Sequence, residues 1–257
     1  MAKLKDVAAF LDERLNIAKF RSDASNNGLQ FEGGQDVFKA VFAVDASHAL
    51  FTTAADLDAD FIFVHHGISW GGSLKRILSL DAKRVAMLAA NSISLDGAPL
   101  PLDAHPEIGH NALLARMMKL ENPSPFGEYD SYNIGFQGML PKEMTVKGLA
   151  KLLDGALLSE GPYHIFGDPE RKIMRVGAIS GGGAYPAVFS ELYALGIDCL
   201  VTGEMTHEAY HYALEAGVSV LSMGHYRSET PGVDAVMQEV REHFDIETEF
   251  LDLPTGL

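Results

Sequence analysis

Two adjacent histidines, His65 and His66, follow the short apolar run 60–64 and stand directly before Gly67. A run of β-branched and aromatic residues that stops at a glycine predicts a buried strand ending at the carboxyl edge of a sheet, where open α/β folds build their sites. Buried imidazoles need a hydrogen-bond partner or a metal ion, and neighbouring side chains of a strand point to opposite faces. For both rings to serve one centre, the backbone must therefore turn at this point, which Gly67 permits.

Two further clusters place acidic residues and a histidine after predicted strands. Asp103 lies just after a short predicted strand, where a lone aspartate is also a common turn residue or helix cap. His225 follows the apolar run 218–223, and Glu229 stands just before the last predicted helix, where it could instead cap that helix. Each cluster taken alone has an ordinary structural explanation.

Together the clusters supply three histidines and two carboxylates. Mixed imidazole and carboxylate ligation suits Zn, Fe, Mn or Co and fits Mg or Ca poorly. Five ligands exceed what a closed tetrahedral zinc site uses. They suit two divalent transition-metal ions that share a bridging carboxylate and keep positions open for water. The sequence thus predicts a dinuclear metal centre.

Composition excludes several classes of function. The formal net charge of the 257-residue chain is −15, which makes a nucleic-acid backbone a poor partner. Cys199 is the single cysteine, so neither an intrachain disulfide nor a thiolate metal cluster can form. The first 17 residues read as an amphipathic helix rather than a signal peptide, and no apolar run approaches the roughly 20 residues that span a bilayer. We expect a cytoplasmic protein without a membrane or nucleic-acid partner.

The elements that must position these residues alternate between strand and helix patterns, which predicts an α/β fold with parallel βαβ units. The proline-rich segment 121–130 breaks both periodicities and predicts a boundary or long loop. In the last helix, Thr230 is the expected N-cap and Pro231 the first residue. We expect two interlinked α/β domains with mixed sheets: residues 1–123 plus 219–257 carry the metal ligands, and residues 124–218 form an inserted second domain. Helices are predicted at 47–57, 75–91, 107–120, 146–153, 185–195, 205–215 and 233–244.

Two other motifs suggest different chemistry. The segment 207–211 matches H-E-x-x-H, in which two helical histidines bind zinc, although the strand that follows closely favours an ordinary βαβ unit. The glycine-rich turn 180–184 could hold a phosphate at a helix N-terminus, but glycines in a tight turn explain it more simply. Trp70 and Tyr226 flank the metal residues and could stack on a purine-like ring, while aromatic packing explains them equally well.

Four segments, in this order, resemble the interacting-factor-three-like family of dinuclear-metal-centre hexameric proteins, whose members are often labelled type 2 homologues of GTP cyclohydrolase 1. The resemblance covers essentially the whole chain, including an early NGLQ segment at 27–30. The four segments are FVHHGISW, PLDAHPEIGHNALL, LVTGEMTHEAYHYALEAG and GHYRSET.

The resemblance implies a ligand set and an assembly. Its metal ligands fall on the five residues already singled out by position, with the glutamate bridging two ions; they are His65, His66, Asp103, His225 and Glu229. It also implies a toroidal homohexamer built as a trimer of dimers. The chain departs from the family at Pro99, where relatives commonly carry a histidine, so any role of that histidine is absent or moved.

The leading functional hypothesis is a metal-dependent hydrolase of a small molecule. Applied to GTP cyclohydrolase-like chemistry, a metal-bound water would open the imidazole ring of a purine nucleotide, with His207 or Glu204 as candidate proton relays. One alternative is a metal-binding or regulatory scaffold hexamer that turns nothing over. Another is a phosphodiesterase or phosphatase, against which the shortage of Lys and Arg near the clusters counts.

Overall fold

The computed structural model describes residues 1–72 and 76–257 and divides into two compact units. The first unit comprises Met1–Leu102 and Val233–Leu253, and the second comprises Asp103–Gly232 and Pro254–Leu257. The sequence prediction placed these boundaries near 123 and 218 instead. Among the described residues, no helix combines the length and the apolar character needed to cross a membrane.

The elements follow the expected alternation of strands and helices. In the first half of the chain they are β1 (Ala2–Lys3), α1 (Leu4–Arg14), β2 (Gly28–Phe31), β3 (Asp36–Val37), β4 (Lys39–Asp45), α2 (His48–Asp56), β5 (Phe61–His66), α3 (Ser79–Ala90), β6 (Ser94–Gly97), α4 (Pro99–Asp103), α5 (His110–Met117) and β7 (Glu121–Tyr129). In the second half they are β8 (Tyr132–Thr145), α6 (Val146–Asp154), β9 (His164–Phe166), β10 (Lys172–Ile179), α7 (Val188–Leu195), β11 (Cys199–Thr202), α8 (Ala209–Ala216), β12 (Ser219–Ser222), α9 (His225–His243) and β13 (Glu247–Phe250).

A five-stranded mixed sheet forms the centre of the first unit, in the order β13-β4-β5-β6-β2. Strands β13, β4, β5 and β6 are parallel, and β2 closes the edge antiparallel to β6. One face packs against α2 and α3 through buried residues that include Ile62, Val64, Phe51 and Leu88. Burial on both faces explains why the parallel strands read as continuous apolar runs. The predicted start of α3 at Lys75 lies outside the described residues.

A six-stranded mixed sheet forms the centre of the second unit, in the order β7-β8-β10-β11-β12-β9. The middle strands β10, β11 and β12 are parallel, and β8 and β9 flank them antiparallel. Its core packs α5 and α6 on this sheet through residues that include Leu114, Leu149, Leu153 and Val201. The prediction of an α/β fold with mixed sheets is confirmed.

The segment predicted as a boundary or long loop is instead the edge strand β7. It pairs with β8 alone, from Glu121 opposite Met139 to Tyr129 opposite Tyr132. Proline lacks an N–H for the ladder and is therefore tolerated only at edges and irregularities. Pro123 and Pro125 disguised this strand in the sequence for that reason.

Helix α9 begins at His225, earlier than predicted, and contains Pro231. A proline inside a helix leaves the carbonyl four residues before it without its N–H partner. Here the Thr230 hydroxyl donates to the Arg227 carbonyl at 2.9 Å and replaces that bond. Thr230 therefore lies inside the helix and is not its N-cap. Its hydroxyl replaces the missing backbone hydrogen bond, and the helix continues through the proline.

Asp103 stands at the end of the short helix α4, not directly after a strand as predicted. Pro99 opens this helix, a position that suits proline because its missing N–H would have no intrahelical acceptor there. Pro99 thus has a structural role at the start of this short helix.

Asp96 is the most unusual buried group of the first unit. It lies on β6 with no exposed surface, and no side chain among the described residues donates a hydrogen bond to its carboxylate oxygens. Burial raises the pKa of Asp96 to about 8, and the negative charge of Asp12 acts in the same direction. The folded protein therefore holds this carboxyl group protonated at neutral pH.

We expect Asp96 to make the fold less stable as the pH rises. Because the unfolded chain releases this proton at lower pH than the folded chain, the free energy of unfolding falls by up to about 1.4 kcal/mol per pH unit between about pH 4 and pH 8. The Asp96→Asn variant has no carboxyl group to titrate at this position. Its free energy of unfolding, relative to that of wild type, should therefore rise as the pH increases across that window. Urea unfolding near pH 5 and near pH 8 measures the effect, with Glu242→Gln on the exposed side of α9 as control. A difference between Asp96→Asn and wild type that does not change with pH would contradict this account.

Candidate metal centre

The first unit brings His65 and His66 together at the end of β5. Their ring centroids lie 4.4 Å apart. His66 is in register with Asp45 at the end of the neighbouring strand β4, and the distance from its Nδ1 to the Asp45 carboxylate is 2.9 Å. Because a carboxylate only accepts hydrogen bonds, Nδ1 carries the proton and Nε2 presents its lone pair. This is the arrangement in which protein histidines commonly bind metal ions.

Gln30, from the NGLQ segment, holds the loop after these histidines. Its Oε1 accepts hydrogen bonds from the backbone N–H groups of Ile68 at 2.8 Å and Ser69 at 3.0 Å. A Cβ at Gly67 would lie 2.2 Å from that same oxygen. A glycine is therefore required at position 67 for this close approach.

The backbone turn that was predicted at the two histidines is not seen. Both histidines belong to the regular strand β5.

The second unit places His225 and Glu229 one turn apart on α9. The His225 Nε2 lies 3.1 Å from Glu229 Oε1, and its Nδ1 lies 3.0 Å from Glu204 Oε1. Burial alone would lower the pKa of His225, but hydrogen bonds to the carboxylates of Glu229 and Glu204 outweigh it and raise the pKa to about 10. Without a metal ion His225 is therefore an imidazolium between two carboxylates, and a cation that takes Nε2 must displace a proton.

Asp103 is held in the second unit by two polar residues. Ser180 Oγ donates to Asp103 Oδ1 at 3.3 Å, and Asn111 Nδ2 donates to the Asp103 carbonyl at 3.3 Å. Asn111 Oδ1 in turn accepts from the Ser180 N–H at 2.6 Å. The N–H of the next residue, Gly181, donates to Ser228 Oγ at 2.9 Å. The turn at 180–181 thus connects Asp103 to the first turns of α9.

Gly181 leaves the space in which a cation would fit. It has φ +57°, and a Cβ on it would lie 2.2 Å from Glu229 Oε1 and 3.0 Å from His225 Nε2. The bare backbone at this position leaves room beside both atoms. Imidazole nitrogen and carboxylate oxygen are donors that divalent transition ions accept, so the residues present fit such an ion. The glycine-rich turn is not a phosphate site at a helix N-terminus, because α7 begins only at Val188.

His110 is a buried residue of this region that the sequence analysis missed. Its Nδ1 accepts from the Gly232 N–H at 3.1 Å, so its Nε2 carries the proton when the ring is neutral. One of its ring nitrogens lies within 4.8 Å of an Asp103 carboxylate oxygen. His110 can therefore donate to Asp103, and it is also among the residues that could hold a metal ion. The signal was present in the segment after Asp103, where a histidine directly precedes Asn111.

The remaining candidates have different surroundings. His207 and His211 are exposed, and α8 begins at Ala209, after the first of them. The two histidines therefore do not share a helix face, and the zinc-protease interpretation is wrong.

Trp70 is exposed and donates its indole N–H to the Gly67 carbonyl at 3.0 Å, whereas Tyr226 is buried. Histidines and carboxylates that could hold a metal ion occur in both units: His65 and His66 in the first, and Asp103, His110 and Glu229 in the second.

Comparison with known proteins identifies relatives along the whole chain. A family model described as Duf34/NIF3 (NGG1p interacting factor 3) matches residues 2–255. A protein of Archaeoglobus fulgidus called "GTP cyclohydrolase 1 type 2 homolog" is 42% identical over 254 residues, which covers 99% of each chain. A protein of the same name from Pyrococcus horikoshii is 42% identical over 253 residues, which covers 98% of each chain.

Solved structures share the fold. The protein ybgI, described as of unknown function, superposes with a TM-score of 0.88 at 32% identity and covers 100% of both chains. The protein TTHA1606 from Thermus thermophilus gives a TM-score of 0.85 at 34% identity, again with 100% of both chains covered.

The Gly181→Ala variant tests the space beside Glu229. Because the new methyl group would overlap Oε1 and the left-handed backbone disfavours alanine, we expect the affinity for Zn²⁺ or Mn²⁺ to fall at least about tenfold. The matched control is Gly182→Ala, whose Cβ would meet Glu204 Oε1 only at 3.8 Å. Metal content after dialysis and melting temperature are measured for both variants. Equal metal content in the two folded variants would refute this role of Gly181.

Proposed function

The chain belongs to the Duf34/NIF3 family, and from this premise we propose that it holds two divalent transition-metal ions and acts as a metal-dependent hydrolase of a small molecule. The proposed ligands are those that the sequence indicated, and Zn, Fe, Mn and Co all suit them. They are His65, His66, Asp103, His225 and Glu229.

The observation that carries this proposal is that a carboxylate orients a histidine in each unit. Asp45 accepts from His66 Nδ1 at 2.9 Å, and Glu204 accepts from His225 Nδ1 at 3.0 Å. Both contacts occupy Nδ1, so a cation would bind through Nε2, which in His225 lies 3.1 Å from Glu229 Oε1. Such outer carboxylates fix the ring orientation and raise the basicity of the ligand nitrogen, and metal-binding histidines commonly have them.

Two divalent ions, when bound, lower the pKa of a water molecule and stabilise negative charge that develops on oxygen. The chain contributes proton handling around that chemistry. The side chain of Glu204 is half exposed, so it meets solvent while it holds His225. The buried His110, with its proton on Nε2, supplies a donor on the Asp103 side. Glu204, which contacts His225 directly, is therefore our first candidate relay, and His207 remains the second.

The reaction class that we propose is the hydrolytic opening of a purine-type imidazole ring, because relatives at 42% identity are named after GTP cyclohydrolase 1. A metal-binding scaffold without turnover is the competing function. A phosphodiesterase or phosphatase would require cationic side chains near the ligands. In the second unit the nearest arginine along the chain, Arg227, is already committed to backbone carbonyls and Asp154.

Ligand substitutions test the centre directly. We expect wild type to bind about two ions per chain. In His66→Ala and Glu229→Gln the affinity for metal should fall by about tenfold or more, and any hydrolytic activity should be lost. The control is His211→Ala, an exposed histidine of the H-E-x-x-H segment. Metal analysis is combined with a turnover screen over purine bases, nucleosides and nucleotides. Retention of metal in both ligand variants, or its loss in the control, would contradict the proposed ligands, and bound metal without any turnover would favour the scaffold.

We also propose that the chain assembles with itself in the cytoplasm as a hexamer, a trimer of dimers. Helices α7 and α8 of the second unit expose large side chains that a monomer would normally bury. They are Tyr193, Tyr210, Tyr212 and Leu214.

Substitution of this exposed group tests the assembly. A charge at Tyr193 or Tyr210 would have to be buried in an interface formed by α7 and α8, so Tyr193→Glu and Tyr210→Glu should yield smaller species than wild type in native mass spectrometry. Glu215→Gln, also exposed on α8, is the control. A wild-type monomer, or glutamate variants that assemble like wild type, would contradict the proposed interface.

A further inference from the structure

A cavity of about 230 Å³ lies in the second unit beside the carboxyl ends of the parallel strands β11 and β12. Open α/β sheets bind their ligands in crevices at such strand ends. One wall residue is Glu204, whose Oε1 accepts the hydrogen bond of His225. The cavity therefore reaches the hydrogen-bond partner of a proposed metal ligand.

The size and apolar lining of the cavity restrict what it can hold. Ligand pockets for drug-sized molecules are roughly 300–1,000 Å³, so this one suits a smaller, base-sized compound. Phe166, Met205 and the buried Tyr226 contribute apolar and aromatic surface to its wall. Flat apolar and aromatic surface of this kind favours a planar ring.

The acidic groups on the wall are acceptors. Glu160 and Glu204 both line the cavity, and ionised carboxylates only accept hydrogen bonds. Carboxylate oxygens are acceptors for the N–H groups on the edge of a heterocycle. The same carboxylates repel a phosphate group, in a chain that already carries a net charge of −15.

The arginine on the wall does not offset this repulsion. Arg227 donates from Nε to the Ser159 carbonyl at 2.7 Å, from Nη1 to the Gly161 carbonyl at 2.7 Å, and from Nη2 to Asp154 at 3.0 Å. These bonds hold its guanidinium as a buried clamp for the segment 159–161. Among the described wall residues, the other basic side chain is His164, which is exposed. A phosphate in this cavity would therefore lack the arginine fork that binds such groups.

We propose that this cavity binds the ring of an uncharged, planar heterocycle of purine-base type through adjacent N–H groups, and that phosphorylated forms bind more weakly. Glu160 and Glu204 accept from the ring, and Phe166 and Tyr226 pack against it. Only the further statement that this ring is the substrate of the metal centre rests on the proposed function. The preferred substrate is then a base or nucleoside rather than a nucleoside triphosphate.

Calorimetric titration of the full-length protein with guanosine, inosine and GTP tests the proposal. We expect guanosine to bind at least tenfold more tightly than GTP, and inosine, which lacks the exocyclic amino donor, to bind at least tenfold more weakly than guanosine. Glu160→Gln should weaken guanosine binding at least tenfold and leave the metal content unchanged. Glu215→Gln is the control, because it is exposed on α8 and does not line the cavity. A second variant covers the case in which Glu160→Gln folds poorly. Met205→Trp fills the cavity with a larger side chain and should abolish guanosine binding.

Each outcome decides one of the two proposals. Binding of GTP as tightly as guanosine, absence of guanosine binding, or guanosine binding that survives both Glu160→Gln and Met205→Trp would overturn the proposed ligand class. Guanosine binding to protein that never takes up metal would uphold the ligand class and refute the metal centre. Metal uptake without guanosine binding would refute the ligand class and uphold the metal centre.

Discussion

The hydrogen bond between a carboxylate and the Nδ1 of a histidine is the interaction on which the rest of this structure depends. It occurs in each unit, between Asp45 and His66 and between Glu204 and His225. Each bond fixes the orientation of a ring, and the Nε2 of His225 lies a further 3.1 Å from Glu229 Oε1. Without these hydrogen bonds, two half-buried histidines would lie at the ends of their elements with no fixed ring orientation.

The fold supplies both bonds by simple means. In the first unit, parallel pairing of β4 with β5 puts Asp45 opposite His66, so the bond follows from strand register alone. In the second unit, α9 must start early enough for His225 and Glu229 to occupy one helical turn. That start depends on a helix that tolerates Pro231, which it does because the Thr230 hydroxyl replaces the missing backbone donor. The Thr230 hydroxyl thus helps to place Glu229 beside His225.

Much of this arrangement could be predicted from the sequence, and the failures have physical causes. The apolar runs around Ile62 and Val220 identified the parallel strands, because strands buried on both faces leave continuous apolar sequence. The edge strand β7 was missed because its prolines mimic a loop, and the start of α9 was misplaced because a helix with an internal proline needs a compensating side chain that a single sequence does not reveal. His110 and Asp45 went unrecognised since their roles arise from hydrogen bonds across residues distant in the chain. Tertiary contacts, not local propensity, decided each of these cases.

X-ray absorption spectroscopy of the full-length protein reconstituted with zinc tests the central claim most directly. The account predicts a shell of nitrogen and oxygen ligands with imidazole scattering, no sulfur, and a metal–metal vector of roughly 3.5–4 Å. A mononuclear spectrum, or ligation dominated by sulfur or by water alone, would contradict a pair of ions held by the histidines and carboxylates of this chain.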